Sequence, residues 1–197
     1  MAGVKGQKQQ RGVERRRRIV DAAIELFAQQ GFPGTGVAAI AERAGITPSA
    51  VIHHFGSKDA VLQAVLDEYD ARAVARVARR AGGVDGLVEQ LIADAEYMIS
   101  ERGLALVHVV LQAEHLDGHS SVRERFRERS RVLRGHIAAV VGSERPDMDA
   151  GAVATELLAF LEGAVTLWLL DPGTVDLPAL YRGYLGRLFR PAEGSTA

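Results

Sequence analysis

The stretch Gly45-Ile46-Thr47-Pro48-Ser49-Ala50-Val51-Ile52-His53-His54-Phe55-Gly56 leaves room for a helix of only two turns. Thr47 is placed to cap it, because a threonine hydroxyl can accept a backbone N–H of the first turn. Pro48 falls at the first helical position, where a missing N–H costs nothing. Gly56 ends the helix and Gly45 ends whatever precedes it, glycine being the residue that best tolerates a left-handed cap. Ile46 and Val51 have the spacing of a hydrophobic staple. Val51 and Phe55, four apart, share an inward face, so Ser49, Ala50, Ile52, His53 and His54 point wholly or partly outward. A helix made only to fill a core would carry more large apolar side chains and fewer polar ones.

The flanking segments are punctuated in the same way. Ile19, Ala23, Leu26 and Phe27 share a face of a helix that begins near Val13. Gly31 fits the left-handed residue just past its end, from which Phe32 folds back on Phe27. Pro33-Gly34 then makes a turn, and Thr35 is the expected cap of a second helix of about nine residues with Val37, Ile40 and Ala41 inward. Ser57 caps a long helix starting near Lys58. Three helices joined by tight turns, the last short and polar outward, make a helix-turn-helix unit. Such a third helix fits the major groove of DNA, with its N-terminal residues against base edges.

Charge points the same way. Up to Lys58 there are nine Lys/Arg against four Asp/Glu; beyond it there are 15 against 21, under an overall net charge of −1. A basic head on an acidic body suggests that the head meets a polyanion. The run Arg15–Arg18 could equally do no more than solvate a helix start, and charge alone leaves both readings standing. Residues 1–11, polar and glycine-bearing, are expected to be a disordered basic arm.

The remainder is periodic at helical spacing throughout. Helices are expected over Lys58 to about Arg80, Val84–Glu101, Leu104–Leu116, Ser121–Val141, Asp149–Leu170 and Leu177–Phe189, with residues 191–197 a disordered tail. No alternating strand pattern occurs, so the fold class is all-α with about nine helices. The expected domains are a helix-turn-helix head over 12–57 and a larger helical body over 58–190. The chain has no cysteine, which excludes disulfides and thiolate metal sites and makes the cytoplasm its expected home. No run is expected to reach the roughly 18 apolar residues of a membrane helix, and the basic N-terminus lacks a secretory apolar segment.

The segment from Arg17 to Leu66 closely resembles the TetR family of bacterial transcriptional regulators. The residues that carry the resemblance are RIVDAAIELFAQQGF, then TGVAAIAERAGITPSAVIHHFGSKDAV, with the hydrophobic start of the next helix. The resemblance implies a homodimer whose two recognition helices bind a palindromic operator, and a small-molecule effector that weakens this binding. Position by position it implies DNA contacts from Thr35, Gly36 and Lys58 at helix starts, and from Thr47, Pro48, Ser49, Ala50, His53 and His54 at the groove. Arg15 and Arg18 add backbone electrostatics. Two positions depart from the family: Ile52 stands where a phosphate-binding tyrosine is common, and Ala38 where many members place a polar or basic contact. Ile52 and Ala50 could pack on thymine methyl groups instead.

In the acidic body, His108 and Gln112 sit four apart on the mostly apolar LALVHVVLQ, and with Met98, Phe160 and Trp168 they are the expected lining of an effector cavity. One or two ordinary buried polar groups would look the same. His115 and His119 have the spacing of a helical metal pair, but Asp117-Gly118 should break the helix between them, so no metal site is expected. The arginines of SVRERFRERSRVLRGH read as a solvated helix face. Leu158, Leu161 and Val165, with Tyr181, Tyr184, Leu185 and Leu188, are the expected dimer interface on the last two helices. Neither a glycine-rich phosphate loop nor a nucleophile elbow is present, so no enzyme and no cofactor is expected. The competing readings are a helical ligand-binding or metal-dependent enzyme with a vestigial DNA head, and a nonspecific DNA-binding protein.

Overall fold

The structure of the protein, a computed structural model, describes residues 2–77, 82–117 and 120–190, the side chains of 2–9 and 72–77 excepted. Among them are nine helices and no strand: α1 (Ala2–Gly34), α2 (Val37–Arg43), α3 (Pro48–Phe55), α4 (Lys58–Val77), α5 (Gly83–Ser100), α6 (Arg102–Glu114), α7 (Ser121–Glu144), α8 (Ala150–Leu170) and α9 (Leu177–Leu188). The all-α class is therefore as expected. The expected end of the fourth helix near Arg80, His119 and the tail over 191–197 lie outside the described residues.

The start of the chain differs from expectation. Residues 2–11 belong to α1 rather than to a disordered arm. Their Gln, Lys and Arg are good helix formers and no proline interrupts them, which offsets the weakening effect of the glycines. Gly31 (φ 71, ψ 173) breaks the helix where the sequence marks its end, and one further turn through Pro33 and Gly34 follows. Phe32 does fold back on Phe27, edge to face with ring centroids 5.5 Å apart.

The chain divides into two compact units, Met1–Ala73 with Gly103–Val122, and Val74–Arg102 with Arg123–Ala197. The division does not fall between residues 57 and 58. Val61, Leu62, Val65 and Leu66 of α4 are all buried and belong with the head, and α6 joins them from much later in the chain.

In the first unit α2 packs on both α1 and α3. Ile19, Phe27, Ile40, Ala41 and Val51 are fully buried there. Val51 is the one fully buried residue of α3, with Ala50, His54 and Phe55 half-buried, so this short helix leaves Pro48, Ser49, Ile52 and His53 exposed. In the second unit α9 packs on α5 and α8, with Leu157, Leu177, Tyr181 and Leu185 essentially without exposed surface. The Asp149 carboxylate caps α8 by accepting the Gly151 and Ala152 N–H groups at 3.0 Å, and Asp176 caps α9 through Ala179 N–H at 2.9 Å.

α8 corrects one expectation: by length and composition it is apolar enough to cross a membrane, with Glu156 and Glu162 its only charges. Thr155, Glu156, Glu162 and Thr166 interrupt the run, while its average stays apolar. Val153, Leu157, Leu161, Ala164, Val165 and Trp168 are buried within the protein.

Candidate nucleic-acid interface

α3 is built as its sequence dictates. Thr47 is extended (φ −87, ψ 153) and its Oγ1 accepts the Ala50 N–H at 3.3 Å, while Pro48 opens the helix. Gly56 (φ 84) closes it, donating its N–H to Ile52 O at 2.8 Å. Ser57 caps α4 through the Ala60 N–H at 3.1 Å. At the preceding turn Gly45 (φ 66) lets its own N–H reach Glu42 O and Ile46 N–H reach Ala41 O, which fixes α2 against the start of α3.

Thr47, Pro48, Ser49, Ile52 and His53 form the exposed face of α3, with Ala50 and His54 half-buried at its edges. The Thr47 and Ser49 hydroxyls are 3.0 Å apart and Thr47 also accepts the Ala50 N–H, so one donor and about two lone pairs remain available to base edges. Ile52 is 44% exposed, an apolar contact surface in the middle of a polar one. His53 and His54 meet edge to face, centroids 5.8 Å apart. The Nε2 of His54 is buried and has no hydrogen-bond partner among the described residues. Burial first, then the Arg15 guanidinium, then His53, hold its imidazole below the ordinary histidine range.

The arginine run lies beside this face. All four of Arg15–Arg18 are exposed. Arg15 is near enough to bias His54. Arg16 lies over the Phe55 ring, 5.3 Å from its centroid; Phe55 carries the aromatic signal that could have singled Arg16 out. Arg17 is turned to Asp21 at 3.8 Å, and Arg18 is a free exposed cation as far as the described residues go. Arg43 is held by Glu25 across α2 and α1.

Two expected contacts are differently employed. Thr35 does not cap α2: its N-cap is Gly36, extended and without a side-chain hydrogen bond. Thr35 is 1% exposed, and its hydroxyl donates to Gly31 O at 2.8 Å with Leu26 O at 3.3 Å. A hydroxyl so enclosed cannot reach a phosphate. Lys58 is half-buried; its Nζ donates to Phe32 O at 2.9 Å and Thr35 O at 3.0 Å, and lies 4.2 Å from the centre of the Phe32 ring. Both residues stabilise the turn before α2 instead of presenting a contact. The same turn is bound from α6 as well, since the Phe32 N–H donates to Glu114 Oε2 at 2.9 Å. Gly36 itself is exposed at the start of α2.

The expected effector residues fall in both units. In the first, His108 is buried and stacked on Tyr69, ring centroids 4.5 Å apart, and Gln112 is half-buried. In the second, Trp168 is buried and Met98 half-buried, while Phe160 stacks on Tyr184 at 3.8 Å. Gln90, a buried polar residue of α5, went unnoticed in the sequence because nothing in its spacing separates it from a surface glutamine. Among the described residues no three His, Asp or Glu side chains are grouped to hold a metal.

The expected dimer residues split by face. Leu161, Val165, Tyr181 and Leu185 are buried in their own chain, whereas Leu158, Tyr184 and Leu188 are half-exposed. An apolar stripe broad enough for both a core and a partner does not show which part serves which. The outward surface of α8 is carried by Ala159, Gly163, Thr166, Leu167 and Leu170, the last two 56% and 78% exposed. Tyr184 donates to Glu156 Oε1 at 2.8 Å; partial burial and that carboxylate push its phenol up to about 12.

Residues 19–65 match the family described as bacterial regulatory proteins, tetR family, and residues 112–190 match the C-terminal region described as a BetI-type transcriptional repressor. The chain is 30% identical over 179 residues to the HTH-type transcriptional regulator TtgR of Pseudomonas putida, covering 83% of this chain and 84% of that protein. Among solved structures, NalD of Pseudomonas aeruginosa, the secondary repressor of a multidrug efflux pump, superposes with a TM-score of 0.74 at 20% identity, covering 92% of this chain and 96% of its own. AibR, solved with isovaleryl coenzyme A and operator DNA, superposes with a TM-score of 0.72 at 20% identity, over 90% and 99% of the two chains.

Proposed function

This chain belongs to the TetR family of bacterial regulatory proteins, and we propose that it represses transcription from a palindromic operator as a homodimer released by a small, largely apolar effector. It is a helix-turn-helix DNA-binding regulator, which sets aside the reading of an enzyme with a vestigial head. The observation that carries the operator reading is α3 itself. A two-turn helix with Val51 buried and Phe55 half-buried beneath it turns Pro48, Ser49, Ile52 and His53 outward, with Arg15 and Arg16 beside it. Ser49 and His53 supply hydrogen-bonding groups for base edges, and Ile52 a surface suited to a thymine methyl. Arg15, Arg16 and Arg18 supply the electrostatic attraction to the backbone that Thr35 and Lys58 do not.

The dimer reading is supported by the outer face of α8, where small residues would let a second helix approach closely and Leu167 and Leu170 have no other cover. The effector reading is supported by His108 and Gln112, polar groups on an apolar helix. The protein acts in the cytoplasm, where its operator is.

Selection of bound fragments from random duplex DNA tests the whole reading. Enrichment of a palindrome supports a dimeric repressor. Binding with no enriched sequence would make the chain a nonspecific DNA binder, and a single unrepeated half-site would remove the dimer. Leu170→Lys should then lower the mass seen by light scattering from dimer to monomer and abolish binding to the full palindrome.

A further inference from the structure

The turn that opens α2 is held by a residue with no place in the reading given so far. Gly31 is at φ 71, ψ 173, a region of backbone space that only glycine occupies without strain. The space that a Cβ on Gly31 would fill is taken by the Glu114 carboxylate, Oε1 lying against the glycine. The other oxygen, Oε2, accepts the N–H of the next residue, Phe32, at 2.9 Å. Glu114 is the last residue of α6, 82 positions along the chain from the group it binds.

The same turn is gripped from its other side. Lys58 Nζ binds the carbonyls of Phe32 and Thr35 and faces the Phe32 ring. The buried Thr35 hydroxyl ties the turn's end to Gly31 O at its start. The Phe32 N–H and the carbonyls of Gly31, Phe32 and Thr35 are thereby each bound by one of three side chains. Immediately beyond lies Gly36, the extended N-cap of α2, which has no side-chain cap of its own. α2 packs on α3, so the direction in which α2 leaves this turn sets where α3 lies relative to Arg15 and Arg16 on α1.

We propose that Glu114 is a positioning residue for DNA recognition: its carboxylate fixes the Gly31–Thr35 turn and, through α2, the placement of α3 against the arginines of α1. The inference rests on the operator reading above. Glu114 gives the duplex nothing directly. What it provides is an acceptor and a filled space, and a glutamine keeps both while losing the charge.

That distinction supplies the test. Glu114→Gln and Glu114→Ala remove the same negative charge, so any difference between them reads the acceptor and the packing rather than electrostatics. Using the full-length protein and the duplex enriched in the selection, Glu114→Ala should bind about three- to tenfold more weakly than Glu114→Gln. The slope of log affinity against log salt should be the same for both, because no phosphate contact differs. In the DNA-free, nitrogen-15-labelled protein, the Phe32 amide should be protected from hydrogen exchange in the wild type and in Glu114→Gln and should exchange faster in Glu114→Ala. Equal operator affinity for the two variants overturns the proposal, as does a Phe32 amide that exchanges alike in all three proteins. If the wild type itself enriches no duplex, the operator reading fails instead. A wild type that enriches one while the two variants bind it equally removes this inference alone.

Discussion

The protein makes the same clasp twice. In the first unit Glu114 lies against Gly31 and accepts the Phe32 N–H; in the second, Glu144 lies against Gly83 and accepts the Val84 N–H at 2.8 Å. Each clasp pairs a glycine of positive φ, 71 at Gly31 and 85 at Gly83, with a glutamate at or near the end of a distant helix. They differ in what they hold. Glu144 sits at the first turn of α5, whose N-cap Gly82 offers no side chain, so it serves as the missing cap and meets the positive end of the helix dipole. Glu114 binds a turn several residues ahead of α2, leaves the true N-cap to Gly36, and shares the turn with Lys58 and Thr35. One clasp starts a helix; the other aims one. The chemistry of a contact therefore does not define its role, and the segment that follows it does.

Substitutions at the two glycines should separate those roles most strongly. Gly31→Ala should destabilise by about 2–3 kcal/mol in urea unfolding, since a Cβ both strains the backbone and displaces the carboxylate. Gly83→Ala should cost a similar amount for the same reasons. Operator affinity measured on folded protein should fall only for Gly31→Ala; an equal fall for both would erase the distinction. Glu144→Ala should come next, at about 1–2 kcal/mol with unchanged operator affinity, the usual effect of losing a helix cap. A salt-resolved binding comparison follows. Arg15→Gln with Arg18→Gln should weaken all duplexes alike and flatten the salt slope by about 0.9 for each phosphate no longer neutralised, which neither glutamate substitution should do.

The smallest effect belongs to His54, which is in neither clasp. Its folded-state pKa lies below the ordinary value, because burial, Arg15 and His53 all oppose protonation. The neutral ring is therefore the form that folding favours. Its contribution is present above about pH 6.5, the unfolded value, and diminishes as pH falls below it. Urea midpoints at pH 7.5 and 5.5 should differ slightly less in His54→Gln than in the wild type. An unchanged or steeper difference would show that folding does not oppose protonation of this ring.

What the sequence revealed was local. The caps at Thr47 and Ser57, the stops at Gly45 and Gly56 and the return of Phe32 to Phe27 are decided by residues a few positions apart, and periodicity with capping preferences finds them. The site was legible to the same extent: the outward set of α3 follows from Val51 being inward. The turn-holding bonds of Thr35 and Lys58 are not legible because their partners, carbonyls freed by a broken helix end, are not side chains and leave no mark in the sequence. The clasps were invisible for a related reason. Their partners are 82 and 60 residues apart, and nothing in an exposed-looking glutamate at a helix end signals the amide it will meet. At the α8–α9 surface the apolar content is plain, but which of two adjacent faces turns inward depends on the neighbouring helix, and Leu161, Val165, Tyr181 and Leu185 of the expected interface are buried in their own chain.

That the head is completed by Gly103–Val122 has a consequence in time. A ribosome makes about 5–20 residues each second, so roughly 3–10 s separate the appearance of Lys58 from that of Glu114. During that interval α1 to α3 are present and α4 is being completed, but the Glu114 carboxylate that binds the Phe32 amide has not yet been made. A nascent chain, or a fragment ending before α6, thus has the recognition helix without the contact that aims it. The order of synthesis delays a finished operator-binding surface until most of the chain that could restrain it has been made.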